Sequence, residues 1–518
     1  MQGNAGPGSA CRRKAVIFFG VVFFGGVDYN VTVLWDICLY QRRDGGRQPP
    51  VMEARKMQKY SGTKNMTEGS VKGLIIRFAI PIFLSQLFQQ LYNTVDSLIV
   101  GRFLGKGALA AVSSSGPLIF LLISFFTGTA AGAGVVISRY FGAGDEKKVS
   151  RALHTNVAFG LAAGIVLTVF GVVLTPTILR LMNTDPSVLP DSIAYFRFYF
   201  LGSLAVVMYN IFTSTMNAVG DSRRPMQYLI CSSVLNVLLD LLFIGVFRFG
   251  VASAAVATTI SQLVSALLCL NRLLKKGTVY QLKLREIRFH GDMLREIMKY
   301  GLPTGVQNSV IGLANVILQS NVNSFGEDAM AGYGSYVKIE GFAFLPITCF
   351  SMAMTTFIGQ NLGAGKKDRA RAGARFGIAM SLVLAELIGV LIYFAAPALI
   401  RMFNSDAEVV RLGVQQARTE ALFYFLLAFS HIIAGVCRGA GKAIVPMVIM
   451  LSVWCVFRIS YITVMMHFVN KIGLIYWAYP LTWGISSVIY LIYFLKSDWI
   501  NGYEPAERAW KTKKALRG

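Results

Sequence analysis

The sequence predicts an all-α polytopic membrane protein: twelve transmembrane helices in two parallel six-helix lobes related by a pseudo-two-fold axis. Three observations lead there. Of 518 residues, 54% are hydrophobic and only 15% charged, and the mean hydropathy is +0.55, whereas a soluble domain carries about 25% charged residues. About a dozen apolar stretches, each near the roughly 20 residues that cross a bilayer, alternate with short polar punctuation. Landmarks in the first half return in the second at one spacing. A net charge of +24 would suggest a nucleic-acid partner for a soluble chain, but the apolar bulk argues against that, against a soluble enzyme and against a disulfide scaffold.

Residues 1–65 read as an N-terminal extension. Arg12-Arg13-Lys14 before the apolar run Ala15–Gly26 resembles the start of a signal peptide, yet no small-residue cleavage site follows. Asp28, Asn30 and Asp36 interrupt what would otherwise be a span. The expectation is an over-extended start, with the functional chain beginning near Met57 or Met66. An N-lobe over 66–273 then holds spans near 74–100, 109–138, 152–176, 193–218, 227–247 and 251–271. A basic cytoplasmic linker, 274–299, follows, and its Met293–Tyr300 end reads as amphipathic. The C-lobe, 300–496, holds spans near 300–323, 329–359, 373–399, 413–437, 444–468 and 473–495, and 497–518 is a basic tail.

The basic residues sort by side. The tails, the linker and alternate loops hold 38 of them, and the opposite loops hold nine: Arg102, Lys106, Arg180, Arg197, Arg248, Arg401, Arg411, Arg418 and Lys471. Cytoplasmic loops carry the Lys/Arg excess, so both termini are expected inside a cell membrane, which requires an even number of spans. The charge then reads as topology and contact with anionic lipid. Ile137-Ser-Arg-Tyr-Phe-Gly-Ala-Gly144 returns as Ile358-Gly-Gln-Asn-Leu-Gly-Ala-Gly365, an offset of 221. Arg180…Asn183 returns as Arg401…Asn404 and Gly220…Pro225 as Gly441…Pro446 at the same offset, and Pro81 matches Pro303 at 222. Six spans followed by six in the same orientation make a parallel repeat. Such halves enclose a site at their interface, which is transporter anatomy.

Seven cysteines, an odd number, form no C-x-x-C pair, and four scattered histidines complete no metal site. The turns Gly363-Ala-Gly365-Lys366 and Gly439-Ala-Gly441-Lys442 lack the phosphate-loop spacing and follow no strand. Neither an H-E-x-x-H nor a G-x-S-x-G motif points to an enzyme. No cofactor is expected.

Of 26 acidic residues, five fall within spans: Asp96, Asp240, Glu340, Glu386 and Glu420. Each costs roughly 2.5–3.5 kcal/mol at a helix centre, so each is a functional candidate. Gln86, Gln89, Asn93 and Asp96 project within an arc of about 80° on the first span, which also carries Tyr92 and Pro81. Asn236 and Asp240 share a face at i and i+4, and Thr258 and Gln262 make a similar pair. A carboxylate beside amides and hydroxyls in a dry interior suits a proton taken up and released near neutral pH or a hard monovalent ion. Glu340, near Lys338, Gly341 and Pro346, could line the central cavity with Gln86, Gln89 and Asn93. Glu386 and Glu420 read as packing or pairing residues, with Arg458 a possible partner for Glu420.

These residues resemble the multidrug and toxic-compound extrusion (MATE) family over roughly 70–496. The match rests on Pro81…Gln89…Tyr92-Asn93…Asp96, the two FGAG/LGAG turns, Ala218-Val-Gly-Asp-Ser-Arg-Arg-Pro225, Asn236…Asp240, Ala254-Ala-Val-Ala-Thr258 and Cys437-Arg-Gly-Ala-Gly441. The resemblance implies a two-lobed antiporter exporting amphipathic, often cationic compounds against H+ or Na+. It also implies an N-lobe cation site of Asp96, Asn236, Asp240 and Thr258 with Tyr92, joined by Asn210, and a bending role for Pro81. A second branch of the family uses acids in spans seven and ten, and the stretches that correspond to those sites, Gly301–Leu313 and Phe423–Ile433, contain none, which favours the N-lobe. A monomer in the lipid bilayer is expected, with no nucleic acid bound. The alternatives are a flippase for lipid-linked saccharide or polysaccharide of the same superfamily and, from another class, a passive channel or structural membrane protein. Few basic residues within the spans argue against the flippase, and the doubled design offers no evident pore.

Overall fold

A computed structural model describes residues 65–181 and 188–501 of the chain. Residues 1–64, with the expected over-extended start, Cys11 and Cys38, and most of the basic tail lie outside the described residues. By contacts, residues 64–274 and 280–518 form one unit that contains both lobes, and the Lys275–Val279 turn groups separately.

Every predicted span is helical, two of them, 193–218 and 413–437, across a break between two helices. Helix α1, Val71–Gly142, carries the first two spans and is broken at Gly105. Then follow α2 (Glu146–Leu181), α3 (Leu189–Leu201), α4 (Ser203–Ala218), α5 (Arg223–Asp240) and α6 (Ala252–Leu274). The second lobe repeats the order with α7 (Gly291–Asn323), α8 (Glu327–Gly363), α9 (Lys367–Arg401), α10 (Ala407–Ala421), α11 (Tyr424–Gly439), α12 (Ile444–Met450), α13 (Arg458–Phe468) and α14 (Ile472–Lys496). Eight of the described helices are long and apolar enough to cross a membrane, and two bent pairs raise this to ten. Val173, Phe394 and Leu495 are two-thirds or more exposed, as lipid-facing side chains should be.

The sequence repeat is also a backbone repeat. Gly105 and Gly326, Gly144 and Gly365, and Gly220 and Gly441 all hold positive φ, a conformation that costs glycine almost nothing and other residues much more. Each pair is 221 residues apart. The broken spans correspond too: α3 meets α4 at 44° and α10 meets α11 at 55°. A π turn, Leu241–Val246, continues α5 directly after Asp240. Another, Leu451–Phe457, joins α12 to α13 directly before Arg458. Single π turns inside helices are frequent at functional sites.

The lobes meet through small residues. A Cβ on Gly128 or Gly132 of α1 would collide with the backbone of Gly305 or Gly301 on α7, and one on Gly142 or Gly363 with the carbonyl of Gln360 or Arg139. Backbones at this distance require glycine, the usual device for close packing of helices in lipid. Hydrogen bonds gather at the same end. Arg139 Nη1 donates to the Tyr300 hydroxyl at 2.6 Å, and the Tyr140 hydroxyl donates to Glu296 at 2.7 Å. Reciprocally, Gln360 accepts from Met66 N at 2.9 Å and donates to Ala218 O at 2.8 Å, while Arg369 donates to the carbonyls of Met66, Glu68 and Gly69. The repeated turn motif of each lobe therefore clasps the lead-in to the other lobe's first span. The amphipathic linker end is the first two turns of α7, with Met293, Ile297 and Tyr300 buried.

Candidate functional site

Asp96 on α1 and Asp240 at the end of α5 are separated by 144 residues, yet their carboxyl groups are close enough to act on each other. Both are buried, Asp240 completely. Two carboxyl groups can touch only with a proton or another cation between them. Asn236, one turn before Asp240, is also buried, and its amide nitrogen is 3.5 Å from the Thr258 hydroxyl on α6. Gln262, one turn after Thr258, donates to the Tyr92 hydroxyl at 3.2 Å. Three helices thus converge through the i, i+4 pairs visible in the sequence.

The oxygens decide what the pocket can hold. Asp96 Oδ1, both Asp240 oxygens, Asn236 Oδ1 and Gln262 Oε1 are buried and receive no hydrogen bond from a protein donor. Among the described residues, no Lys, Arg or His acts on either carboxyl group. An unpaired buried charge is costly, so the cluster calls for a cation, and its donors are the hard oxygens that suit a proton or an alkali ion.

Other sequence candidates fall elsewhere. Asn210 on α4 turns its amide onto its own helix, donating to Val206 O at 2.8 Å. Pro81 is buried near the start of α1, where it removes the N–H that would pair with the Arg77 carbonyl. Beside it, Ser222 Oγ donates to Phe78 O at 3.2 Å. Gln86 is half-buried and Asn93 exposed, and Gly341 of α8 comes close to Gln90 across the lobe boundary. Tyr195 of α3, which no motif singled out, is near enough to feel both Asp96 and Asp240. Its only sequence signal is the aromatic run Tyr195-Phe-Arg-Phe-Tyr199, which reads as ordinary packing.

Glu340 and Glu420 are where the sequence reading and the structure differ most. Glu340 is buried in the second lobe, with its carboxyl group against that of Glu420. Glu420 is fully buried at the end of α10, immediately before the break in that span, and accepts from Gln416 Nε2 at 2.9 Å. Arg458 forms no ion pair with Glu420 within 4 Å; its guanidinium donates to Thr482 Oγ1 at 2.7 and 3.2 Å. Glu386 on α9 is half-buried. Of the five described cysteines, Cys231 is exposed and the other four are buried thiols.

Most of the chain resembles known proteins. The MatE family profile matches residues 81–242 and 303–464, one copy in each lobe. The probable multidrug resistance protein YoeA of Bacillus subtilis is 29% identical over 441 residues, covering 83% of this chain and 95% of that protein. The probable multidrug resistance protein NorM of Thermotoga maritima is 28% identical over 436 residues, covering 82% and 92%. Among solved structures, an outward-facing multidrug resistance MATE family transporter of the MOP superfamily superposes with a TM-score of 0.78 at 22% identity, over 83% of this chain and 96% of the other. Doubled motif, doubled backbone and doubled profile agree: the chain is a membrane transporter, not an enzyme, and it belongs to the MatE family of multidrug and toxic-compound extrusion proteins.

Proposed function

We propose that the chain is a secondary active exporter of small amphipathic and cationic compounds, coupled to inward movement of H+ or Na+. Asp96 and Asp240 hold the coupling ion, Asn236 and Thr258 complete its oxygen shell, and Tyr92 orients the pair through Gln262. Pro81 permits the bend that loading or release of the ion requires. The exported compound occupies the space between the lobes, beside Gln86, Gln89 and Asn93. The units of this cycle are the lobes 66–273 and 300–496, with 274–299 as the strap between them, in a monomer with both termini in the cytoplasm.

The observation that carries this reading is the buried carboxyl pair of the first lobe, with five acceptor oxygens lacking a donor and no basic neighbour among the described residues. A structural seam would satisfy its acceptors within the protein. A site that loads and unloads an ion leaves them open for it. The test is export of a fluorescent cation from proteoliposomes, driven separately by a pH gradient and by a sodium gradient. One gradient should drive export, and Asp96→Asn or Asp240→Asn should abolish it while the protein remains folded in the membrane. Wild-type export by both variants would refute the assignment.

A further inference from the structure

Two histidines that look unrelated in the sequence fasten residues 283–290, the stretch leading into the second lobe, onto the first lobe. His154 is buried near the start of α2. Its Nδ1 stands 2.7 Å from the Ser150 carbonyl oxygen, and its Nε2 accepts from the backbone N–H of Lys283 at 3.0 Å. His290, immediately before α7, places Nδ1 3.1 Å from the Thr155 hydroxyl of α2. That hydroxyl also accepts from the His290 backbone N–H at 3.2 Å, and His290 Nε2 accepts from Arg288 Nε at 3.3 Å.

These partners fix the protonation state of both rings. A carbonyl oxygen only accepts, so His154 Nδ1 carries a hydrogen. A backbone N–H and a guanidinium only donate, so Nε2 of each ring keeps its lone pair. Both rings are therefore neutral, with hydrogen on Nδ1. A proton bound at either Nε2 makes an N–H bond that points at another N–H, and the hydrogen bond there is lost. Among the described residues, the surroundings do not welcome the new charge. Arg151 of α2 and Arg288 face His290. The nearby carboxylates are already paired, Asp292 of α7 with Arg151 at 2.8 Å and Glu286 with Lys283 at 2.8 Å. Burial, then Arg151 and Arg288, hold the His290 ring below the usual imidazole range.

What the histidines join gives the arrangement its consequence. Ser150, His154 and Thr155 belong to the first lobe, whereas His290 caps α7, the first helix of the second, whose Gly301 and Gly305 lie against α1. We propose that His154 and His290 form a proton-operated clasp: with neutral rings it holds residues 283–290 and the head of α7 on α2, and acid on that side of the membrane opens it and loosens the joined end of the lobes. The proton comes from water, binds at Nε2, and returns to water when the clasp closes. Histidine suits the task because its charge changes within the physiological pH range. The clasp shares no residue with the carboxyl cluster of the first lobe and works whichever ion drives export.

The experiment is hydrogen–deuterium exchange of the full-length protein in lipid nanodiscs, read as the protection factor of the Lys283 amide. Protection should hold above about pH 6.5, where a free imidazole is neutral, and fall about tenfold per pH unit below it for each proton taken up on opening. His154→Gln, whose side-chain oxygen can accept from Lys283 N–H at every pH, should flatten that profile, and His154→Phe should leave the amide unprotected throughout. Should these variants fail to insert, His290→Gln, read at the amide of residue 290, tests the other half of the clasp. The hold on the lobes is read at Ser138 of α1, which is buried against Gly359 of α8. In a cysteine-free background, Ser138→Cys should react with a charged maleimide faster below about pH 6.5 than the same protein carrying His154→Gln and His290→Gln, and equally fast above it. A Lys283 protection factor that ignores pH in the unsubstituted protein, or falls equally in His154→Gln, would overturn the clasp. Equal labelling of the two proteins in acid would overturn its hold on the lobes.

Discussion

Replacing Gly132 by alanine sets a methyl group into the backbone of α7. The new Cβ would fall against Gly301 N and Cα and 2.9 Å from the Ile297 carbonyl oxygen. None of these is the movable end of a side chain, so the helices themselves must separate. Overpacking of this kind costs about 1–3 kcal/mol. Alanine's better helix propensity, about 0.8–1.0 kcal/mol, acts on either arrangement of the lobes and cancels in their ratio. If the joined arrangement is one end state of alternating access, its population should fall by roughly 5–150-fold relative to the separated one.

Ser138 reports that change. It is fully buried on α1 and faces Gly359 of α8 across the joined end. In a background without native cysteines, Ser138→Cys should react with a charged maleimide faster by about the same factor when Gly132 is alanine. Gly334→Ala, whose Cβ meets nothing within 4 Å, should leave the rate unchanged. A folded, inserted Gly132→Ala protein that labels no faster than its parent would show that this glycine contact does not govern opening of the lobes.

Four further outcomes are expected. Removing residues 1–56 should leave insertion and transport intact, because Met66–Gly69 is the segment bound by Gln360, Asn361, Lys366 and Arg369; lost insertion in a cysteine-accessibility assay would contradict this. Gln360→Ala should break the paired bonds to Met66 and Ala218 at about 1 kcal/mol each, seen as faster amide exchange at Met66. His290 is held below the usual imidazole range by burial, then by Arg151 and Arg288, so the neutral ring is favoured when folded. Its contact with Thr155 should therefore be intact above about pH 6.5 and weaken as pH falls below it; pH-independent exchange at the His290 amide would refute the link. Finally, two protons entering for one monovalent cation leaving move one net charge, worth roughly 2.3 kcal/mol or about 50-fold per 100 mV. Export of that cation in proteoliposomes that ignores an imposed potential would exclude a second coupled proton.

Composition and periodicity determined the fold class, because a bilayer allows few solutions for a chain this apolar: helices must satisfy their own backbone, and their number follows from counting stretches. The repeat was legible for a similar reason. The turns at Gly144 and Gly365 require backbone angles that only glycine adopts cheaply, so the letters survive in both halves. Half of the candidate site was legible too, since Asn236 with Asp240 and Thr258 with Gln262 are i, i+4 pairs whose shared face is a property of one helix. What joins different helices was not. That Asp96 lies beside Asp240, that Tyr195 belongs near them, and that Gln360 and Asn361 clasp Met66 depend on contacts between helices far apart in the chain, for which local sequence carries no signal. Glu420 shows this most clearly: beside Arg418 and Thr419 and next to a break in its span, it reads as a span-end residue. Only the folding of α8, α10 and α13 around it gives it Glu340 as a neighbour and turns Arg458, the partner the sequence suggested, onto Thr482 instead, because burial and charge balance belong to the assembled lobe and not to any one helix.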